Sequence, residues 1–174
     1  PVQPKPVQKG IMDELQVEKY ILDACCGGKQ FWFDKNHKHT IYMDKRKADK
    51  GSVPCRPNWN CTPDIIGDYR DTDFQDKEFK LIVWDIPHKL KEDSGLITTK
   101  YGFLGENWRE DTQRGFNELW RILDDFGTLI FKFADREVAV KEMLSLFPVQ
   151  PLFGTPTRKG VNNTFWFCFL KIPE

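Results

Sequence analysis

Residues 21–28 read Ile21-Leu22-Asp23-Ala24-Cys25-Cys26-Gly27-Gly28, an apolar β-rich run that passes without a spacer into a glycine turn. In an open parallel sheet, ligands collect where the carboxyl ends of strands meet the next crossover, and glycines let the backbone approach them closely. The reading therefore starts from a first strand over Tyr20–Ala24, with Asp23, Cys25, Gly27 and Gly28 as candidate cofactor contacts. The two cysteines are small enough for a close turn, and packing as small buried hydrophobes accounts for them better than thiol chemistry does.

Working outward, Thr40-Ile41-Tyr42-Met43-Asp44 reads as a second strand. It ends in an acid about 20 residues after the glycine turn, where a carboxylate accepts the ribose hydroxyls of a nucleotide-like cofactor. Asp44 is that candidate. Ile65-Ile66-Gly67-Asp68-Tyr69-Arg70 supplies a third strand end, at which Asp68 can reach an adenine amino group while Tyr69 flanks the ring. Further β-rich runs at 81–84, 128–133, 149–153 and 164–172 complete a series separated by segments long enough for helical crossovers.

Two helices are legible between the later strands. Trp108, Phe116, Leu119, Trp120 and Leu123 recur with helical spacing over 107–125, and Gly127 stands where a helix-ending glycine is expected. Asp135 is placed to cap a second helix that carries Val138, Met143, Leu144 and Phe147 and stops before Pro148. Residues 154–163 are too few for a crossover helix, so the last two strands form a hairpin and the final strand runs antiparallel. The predicted fold is α/β, a Rossmann-like, seven-stranded, mostly parallel sheet with an antiparallel C-terminal hairpin and helices on both faces. Residues 1–10, with three prolines and no apolar period, read as a flexible leader before a domain spanning 11–174.

The chain has 174 residues, 14 Phe and 6 Trp, enough to bury a core without disulfides or a structural metal. Its five cysteines are odd in number and form no secreted framework, and its apolar runs fall short of the ~20 residues that span a bilayer. A cytoplasmic, soluble protein is expected, with no membrane partner. His37, His39, Cys55 and Cys61 match no usual zinc spacing, so no metal is expected. Lys plus Arg and Asp plus Glu balance at 26 each, which excludes a strong overall positive field. Basic residues still crowd one stretch, Lys29, Lys35, Lys38, Lys45, Arg46, Lys47 and Lys50, and Arg158 and Lys159 can add to a local phosphate-binding face.

Taken in order, these segments resemble the class I S-adenosylmethionine-dependent methyltransferases, especially small phage- and prophage-type members with a Leu-Asp-x-Cys-Cys-Gly-Gly opening. The resemblance rests on residues 21–28, Tyr42-Met43-Asp44, Gly67-Asp68-Tyr69-Arg70-Asp71 and Leu81-Ile82-Val83-Trp84-Asp85-Ile86-Pro87-His88. Lys100-Tyr101-Gly102, Trp120-Arg121-Ile122-Leu123, Leu129-Ile130-Phe131-Lys132 and Pro151-Leu152-Phe153-Gly154 also match. The more common glycine-x-glycine arrangement is replaced by Cys25-Cys26-Gly27-Gly28. What the resemblance implies is S-adenosylmethionine as cofactor and Asp85-Ile86-Pro87-His88 as the reacting loop, similar to the Asp-Pro-Pro-aromatic loop of amino-directed nucleic-acid methyltransferases.

An aromatic amino group is a poor nucleophile because its lone pair is delocalised into the ring. The Asp85 carboxylate and the Ile86 carbonyl, placed at that nitrogen, would localise the lone pair and stabilise the developing charge. His88 would stack on the extruded base, and residues 89–105, including Tyr101, are polar and flexible enough for a lid. Ile86 replaces the first proline of the motif, keeping its carbonyl but losing some rigidity. The expected acceptor is a DNA or RNA base, contacted by His88, Tyr101, Lys132 and Arg158, with a protein partner as a further source of specificity. A ribose-directed RNA methyltransferase using Asp85 and Lys132, a small-molecule methyltransferase, and a non-catalytic cofactor-binding interaction protein stand as alternatives.

Overall fold

The computed structural model describes residues 17–155 and 164–173. The expected leader at 1–10 and the expected substrate contact Arg158 lie outside them. Ten elements follow in chain order: β1 (Ile21–Asp23), β2 (Thr40–Asp44), β3 (Ile65–Ile66), β4 (Phe79–Asp85), α1 (Leu96–Tyr101), α2 (Trp108–Ile122), β5 (Leu123–Ala134), α3 (Val140–Ser145), β6 (Phe153–Gly154) and β7 (Thr164–Leu170). The strands form one seven-stranded sheet in the order β3-β2-β1-β4-β5-β7-β6.

The first five strands pair in parallel, with β1 between β2 (Leu22 opposite Ile41) and β4 (Leu22 opposite Ile82). From β1 the chain moves outward to β2 and β3, then crosses to β4 on the other side of β1. The crevice beyond β1 and β4 is therefore the point where the strand order reverses, and such a point is where open α/β sheets bind ligands. As the short connection requires, β7 runs antiparallel to β5 from Thr128 opposite Leu170 to Ala134 opposite Thr164, and β6 pairs antiparallel at its outer edge. Only Phe153–Gly154 qualifies as β6, two residues against the five expected. Pro148 and Pro151 lack the N–H groups that a longer strand would contribute.

The main core is aromatic: Trp84, Phe79, Phe116, Phe131, Phe133 and Phe169 are each at most 1% exposed. Helix α2 contributes Trp108, Phe116, Leu119 and Ile122, so the expected apolar stripe does face the sheet. Its end differs from the expectation. Leu123 turns directly into an extended conformation, and Gly127 lies inside β5, not at a helix cap. There a Cβ would come within 2.7 Å of the Asp124 carbonyl oxygen, so glycine is required by a close turn of the strand, next to Phe126 at φ 59°. Helix α3 likewise starts after Ala139, with no side-chain cap, and Asp135 does not cap it.

Among the described residues, the crossovers after β1 and β2 carry no helix, although their lengths suggested one. Residues 24–39 hold the Gly27-Gly28 pair and an aromatic run without helical period. Residues 45–64 are broken by Gly51, Pro54, Pro57 and Pro63. This second crossover folds instead around a small cluster of Val53, Trp59 and Cys61 and is tied down by the Ala48–Cys61 bridge.

Candidate functional site

At the reversal point lies a cavity of about 420 Å³, in the ordinary range for small-ligand sites of roughly 300–1,000 Å³. Its wall is built from the ends of β1, β2, β3 and β4 together with residues of α1, α2 and β5. Of the residues expected to bind cofactor, Cys25, Gly27, Gly28, Asp44, Asp68 and Tyr69 all line it.

The turn after β1 and the acid after β2 form one unit. Gly27, at φ 47°, donates its N–H to Asp44 Oδ2 at 3.0 Å, and Arg46 donates its N–H to Oδ1 at 3.0 Å. Asp44 is only 6% exposed and its carboxylate is held from both sides. A Cβ on Gly28 would lie 2.7 Å from the Trp59 indole nitrogen, so the second crossover presses on the turn where only glycine fits.

Asp23 is placed differently from its neighbours. It is fully buried and does not line the cavity. Its Oδ2 accepts the Trp32 indole N–H at 2.6 Å and its Oδ1 accepts the Cys25 N–H at 3.3 Å, which anchors the following loop to the strand end. Burial, only partly offset by these bonds, pushes its carboxyl up to about 7.

Asp68 lines the cavity but is engaged by Arg70, which donates from Nε at 2.9 Å and from Nη2 at 2.6 Å while its Nη1 pairs with Asp111 at 2.7 Å. Burial alone would raise the Asp68 carboxyl; the Arg70 bonds prevail and hold it below the usual range. The Tyr69 ring meets Trp84 edge-on at 5.4 Å and lies against Gly115 of α2, where a Cβ would be 2.5 Å from the ring. Position 115 must therefore be small if Tyr69 is to keep its place on the cavity wall.

Asp85, Ile86, Pro87 and His88 line the side of the cavity beyond β4. Asp85 Oδ2 is 2.6 Å from Lys132 Nζ, and its Oδ1 is buried with no hydrogen-bond partner among the described residues. Burial pushes the Asp85 carboxyl up, against the pull of Lys132. His88 Nδ1 accepts the Ala134 N–H at 3.3 Å, which leaves the proton on Nε2, 3.5 Å from Asp85 Oδ1. Burial and the charges of Lys132 and Arg136 lower the imidazole to about 4, so it is neutral at physiological pH. The ring is wedged edge-on against Phe133 at 5.7 Å.

Tyr101, at the end of α1 inside the expected lid, lines the cavity and donates its hydroxyl to Gln30 Oε1 at 2.6 Å. It thereby joins the end of α1 to the loop after β1. Lys132 and Arg136 complete the wall.

Phe31 escaped the sequence reading, while Arg46 entered it only within a basic stretch and Arg70 only within a motif. Arg46 and Arg70 each neighbour an acid on the wall, and Phe31 adjoins Lys132, whose Nζ is 5.7 Å from both the Phe31 and the Trp166 ring centroids. The signals were present in the Phe31-Trp32-Phe33 run and in the alternation of 164–170, which turns Phe165, Phe167 and Phe169 inward and Trp166 outward. Of the four residues whose spacing matches no zinc site, His37 Nδ1 meets the Thr40 hydroxyl, His39 Nδ1 meets the Glu18 carbonyl, and Cys55 is exposed. Among the described residues, Cys26, Asp44 and Cys61 instead bring their ligand-type atoms within 4.8 Å of one another.

No family model matches the sequence, and no curated protein does. Solved structures do match in fold. An S-adenosylmethionine-dependent methyltransferase from Methanosarcina mazei aligns at TM-score 0.52 and 14% identity over 97% of this chain and 99% of its own. A TehB-like S-adenosylmethionine-dependent methyltransferase from Corynebacterium glutamicum aligns at 0.52 and 17% over 93% and 85%. An rRNA methylase from Streptococcus thermophilus aligns at 0.54 and 11% over 90% and 89%. The chain thus has the Rossmann-like fold of these enzymes. Among the described residues no helix is long and apolar enough to cross a membrane.

Proposed function

We propose that the protein is an S-adenosylmethionine-dependent methyltransferase acting on an exocyclic amino group of a nucleic-acid base. One observation carries the reading: Asp85 presents a buried oxygen that accepts no hydrogen bond among the described residues, with His88 Nε2 3.5 Å away, on the wall of a ligand-sized cavity. A buried acceptor left unpaired costs roughly 1–3 kcal/mol, and a donor arriving from a ligand removes that penalty. The cradle suits the cofactor, because Gly27 and Gly28 put side-chain-free backbone on the cavity wall while Asp44 offers a fixed carboxylate for ribose hydroxyls. Tyr69 supplies a flat wall for an adenine ring.

S-adenosylmethionine, when bound, supplies an electrophilic methyl group on a sulfonium. The chain's own groups do the rest. Asp85 Oδ1 accepts one N–H of the acceptor amine, the Ile86 carbonyl is a second acceptor, and together they direct the nitrogen lone pair outward and stabilise the positive charge that develops on it. Lys132 holds the other carboxylate oxygen and favours the charged form of Asp85 against the effect of burial. His88 is neutral and braced by Ala134 and Phe133, so it presents an uncharged ring edge to an incoming base.

The direct contact of Lys132 with Asp85 also favours a second reading, ribose-directed transfer, in which the pair activates a hydroxyl. Incubation with methyl-labelled cofactor and separate pools of DNA, RNA, protein and small metabolites, followed by nucleoside digestion and mass spectrometry, tests both. Label on a base amino group supports the first reading and label on a ribose the second. Label in the protein or metabolite pool alone overturns both.

A further inference from the structure

The geometry points to an aromatic platform beside the cavity that binds the unpaired bases of a single-stranded nucleic acid, and so presents the target base to Asp85. Its functional meaning rests on the methyltransferase reading; its binding chemistry does not. The platform is built from a loop and a strand far apart in sequence. Phe31 meets Trp166 edge-on at 5.5 Å and lies 6.2 Å from Trp32, while the neighbouring Phe33 is fully exposed. Together with His37 these rings line a second, more open groove of about 510 Å³.

Solvent exposure of a Phe–Trp cluster is costly, and on this loop it is also held in place. Trp32 is pinned by its 2.6 Å bond to Asp23, and its ring packs edge-on against Tyr42 at 5.1 Å. That anchoring holds the flanking Phe31 and Phe33 at the rim of the groove. An aromatic face offered in this way suits a planar ring, because every base has a π-face and stacks without regard to its identity.

Two features choose nucleic acid over an apolar protein surface. The first is charge: residues 29–39 carry Lys29, Lys35 and Lys38 against the single acid Asp34, and Arg136 stands on the adjoining cavity wall, where Lys132 is paired with Asp85. A chain otherwise neutral overall thus has cations interleaved with aromatics at this rim, the combination that tracks a phosphate backbone while stacking its bases. The second is continuity. Phe31 lines both the groove and the cofactor-sized cavity. Asp85 of β4 lies opposite Lys132 of β5, which lies opposite Trp166 of β7, so the reacting carboxylate, the cation and the stacking ring form one row across the sheet. A strand lying on Phe33 and Trp166 would have a base within reach of Asp85 without a duplex having to open on the protein.

The test is binding, measured by fluorescence anisotropy on the full chain with labelled 12-nucleotide mixed-sequence single strands of DNA and of RNA, and with the corresponding duplexes. Single strands of at least one kind are expected to bind more tightly than duplex, with affinity falling as salt rises. Phe33→Ala and Trp166→Ala should each weaken the strand by about tenfold, with the calorimetric affinity for S-adenosylmethionine unchanged. Both positions are solvent-facing, so the fold is expected to survive, and circular dichroism checks it. Wild-type affinity in both variants, a preference for duplex, or no binding of either strand overturns the platform. So does a dimer in sedimentation that Phe33→Ala dissociates, since the patch would then be a contact between copies. If no methyl is transferred but strand binding depends on Phe33, the platform stands and the enzyme reading fails. If a base is methylated while both variants bind normally, the reverse holds.

Discussion

Lys132 Nζ lies 2.6 Å from Asp85 Oδ2 across adjacent parallel strands, and the other oxygen of the same carboxylate is buried without a hydrogen bond among the described residues. Both side chains are less than one-fifth exposed, so the pair is much less screened by water than a surface bridge. The division of labour between the two oxygens is what gives Asp85 its proposed role: one is paired with Lys132, which opposes the effect of burial, and the other faces the cavity for a donor.

Removing the charge without removing the shape isolates that role. Asp85→Asn is expected to lower methyl transfer on the order of 100-fold, the usual loss for one preorganised acceptor of transition-state charge, with cofactor affinity preserved. Lys132→Met removes the attraction that opposes burial, so Asp85 protonates at higher pH. Because activity requires the carboxylate, the acid limb of the kcat/KM profile should move upward in pH. An unmoved acid limb in Lys132→Met, or wild-type turnover in Asp85→Asn, removes this pair from the mechanism.

Asp44 carries the cofactor prediction. Asp44→Ala should weaken S-adenosylmethionine binding by ~1–3 kcal/mol through loss of charge-assisted hydrogen bonds to ribose. It also frees the N–H groups of Gly27 and Arg46. Asp44→Asn keeps one carbonyl acceptor and should lose less. Calorimetric titration of both variants checks the order, and equal affinity for wild type and Asp44→Ala would remove Asp44 from the site.

Much of this architecture was legible because it is written in short-range pattern. The alternation in 164–170, together with a connection too short for a helix, forces an antiparallel final strand; Asp44 and Asp85 are recognisable as acids that end apolar runs. What was not legible depends on contacts between distant segments. Gly127 looks like a helix cap by position, and only the approach of the Asp124 carbonyl shows it to be a strand turn. Asp23 looks like a ligand contact, and only the arrival of Trp32 turns it inward. Trp166 joins Phe31 through a pairing register that no local window contains.

The cysteines make a prediction about accessibility. Burial pushes the thiols of Cys25 and Cys168 up, and the adjacent Cys61 thiol together with burial does so for Cys26, while Cys55 is exposed. Since the thiolate is the reactive form, a short iodoacetamide pulse on the native protein should label Cys55 well before the others, as mapped by peptide mass spectrometry. Saturating S-adenosylmethionine should slow Cys25 further without affecting Cys55, because Cys25 lines the cavity and Cys55 does not. Early labelling of Cys26 or Cys61 would contradict the packing of the turn against the second crossover.

Asp23 yields a pH dependence whose sign can be worked out from its environment. Its carboxyl is raised to about 7 in the folded protein from an ordinary value of 3.8, so between these values the native state holds a proton that the unfolded chain has lost. Folding stability therefore falls as pH rises through this window, by an amount on the order of a few kcal/mol for this group alone. Above about pH 7 the whole cost of the buried charge is present. Asp23→Asn keeps a carbonyl to accept the Trp32 N–H but cannot ionise. Urea unfolding at pH 5 and pH 8 should therefore show a smaller decline for the variant than for wild type, and the variant should match or exceed wild type at pH 8. A decline of the same size in both would place the ionising group elsewhere, and a variant much less stable at both pH values would show that the charged carboxylate is needed to hold Trp32, with burial a lesser effect.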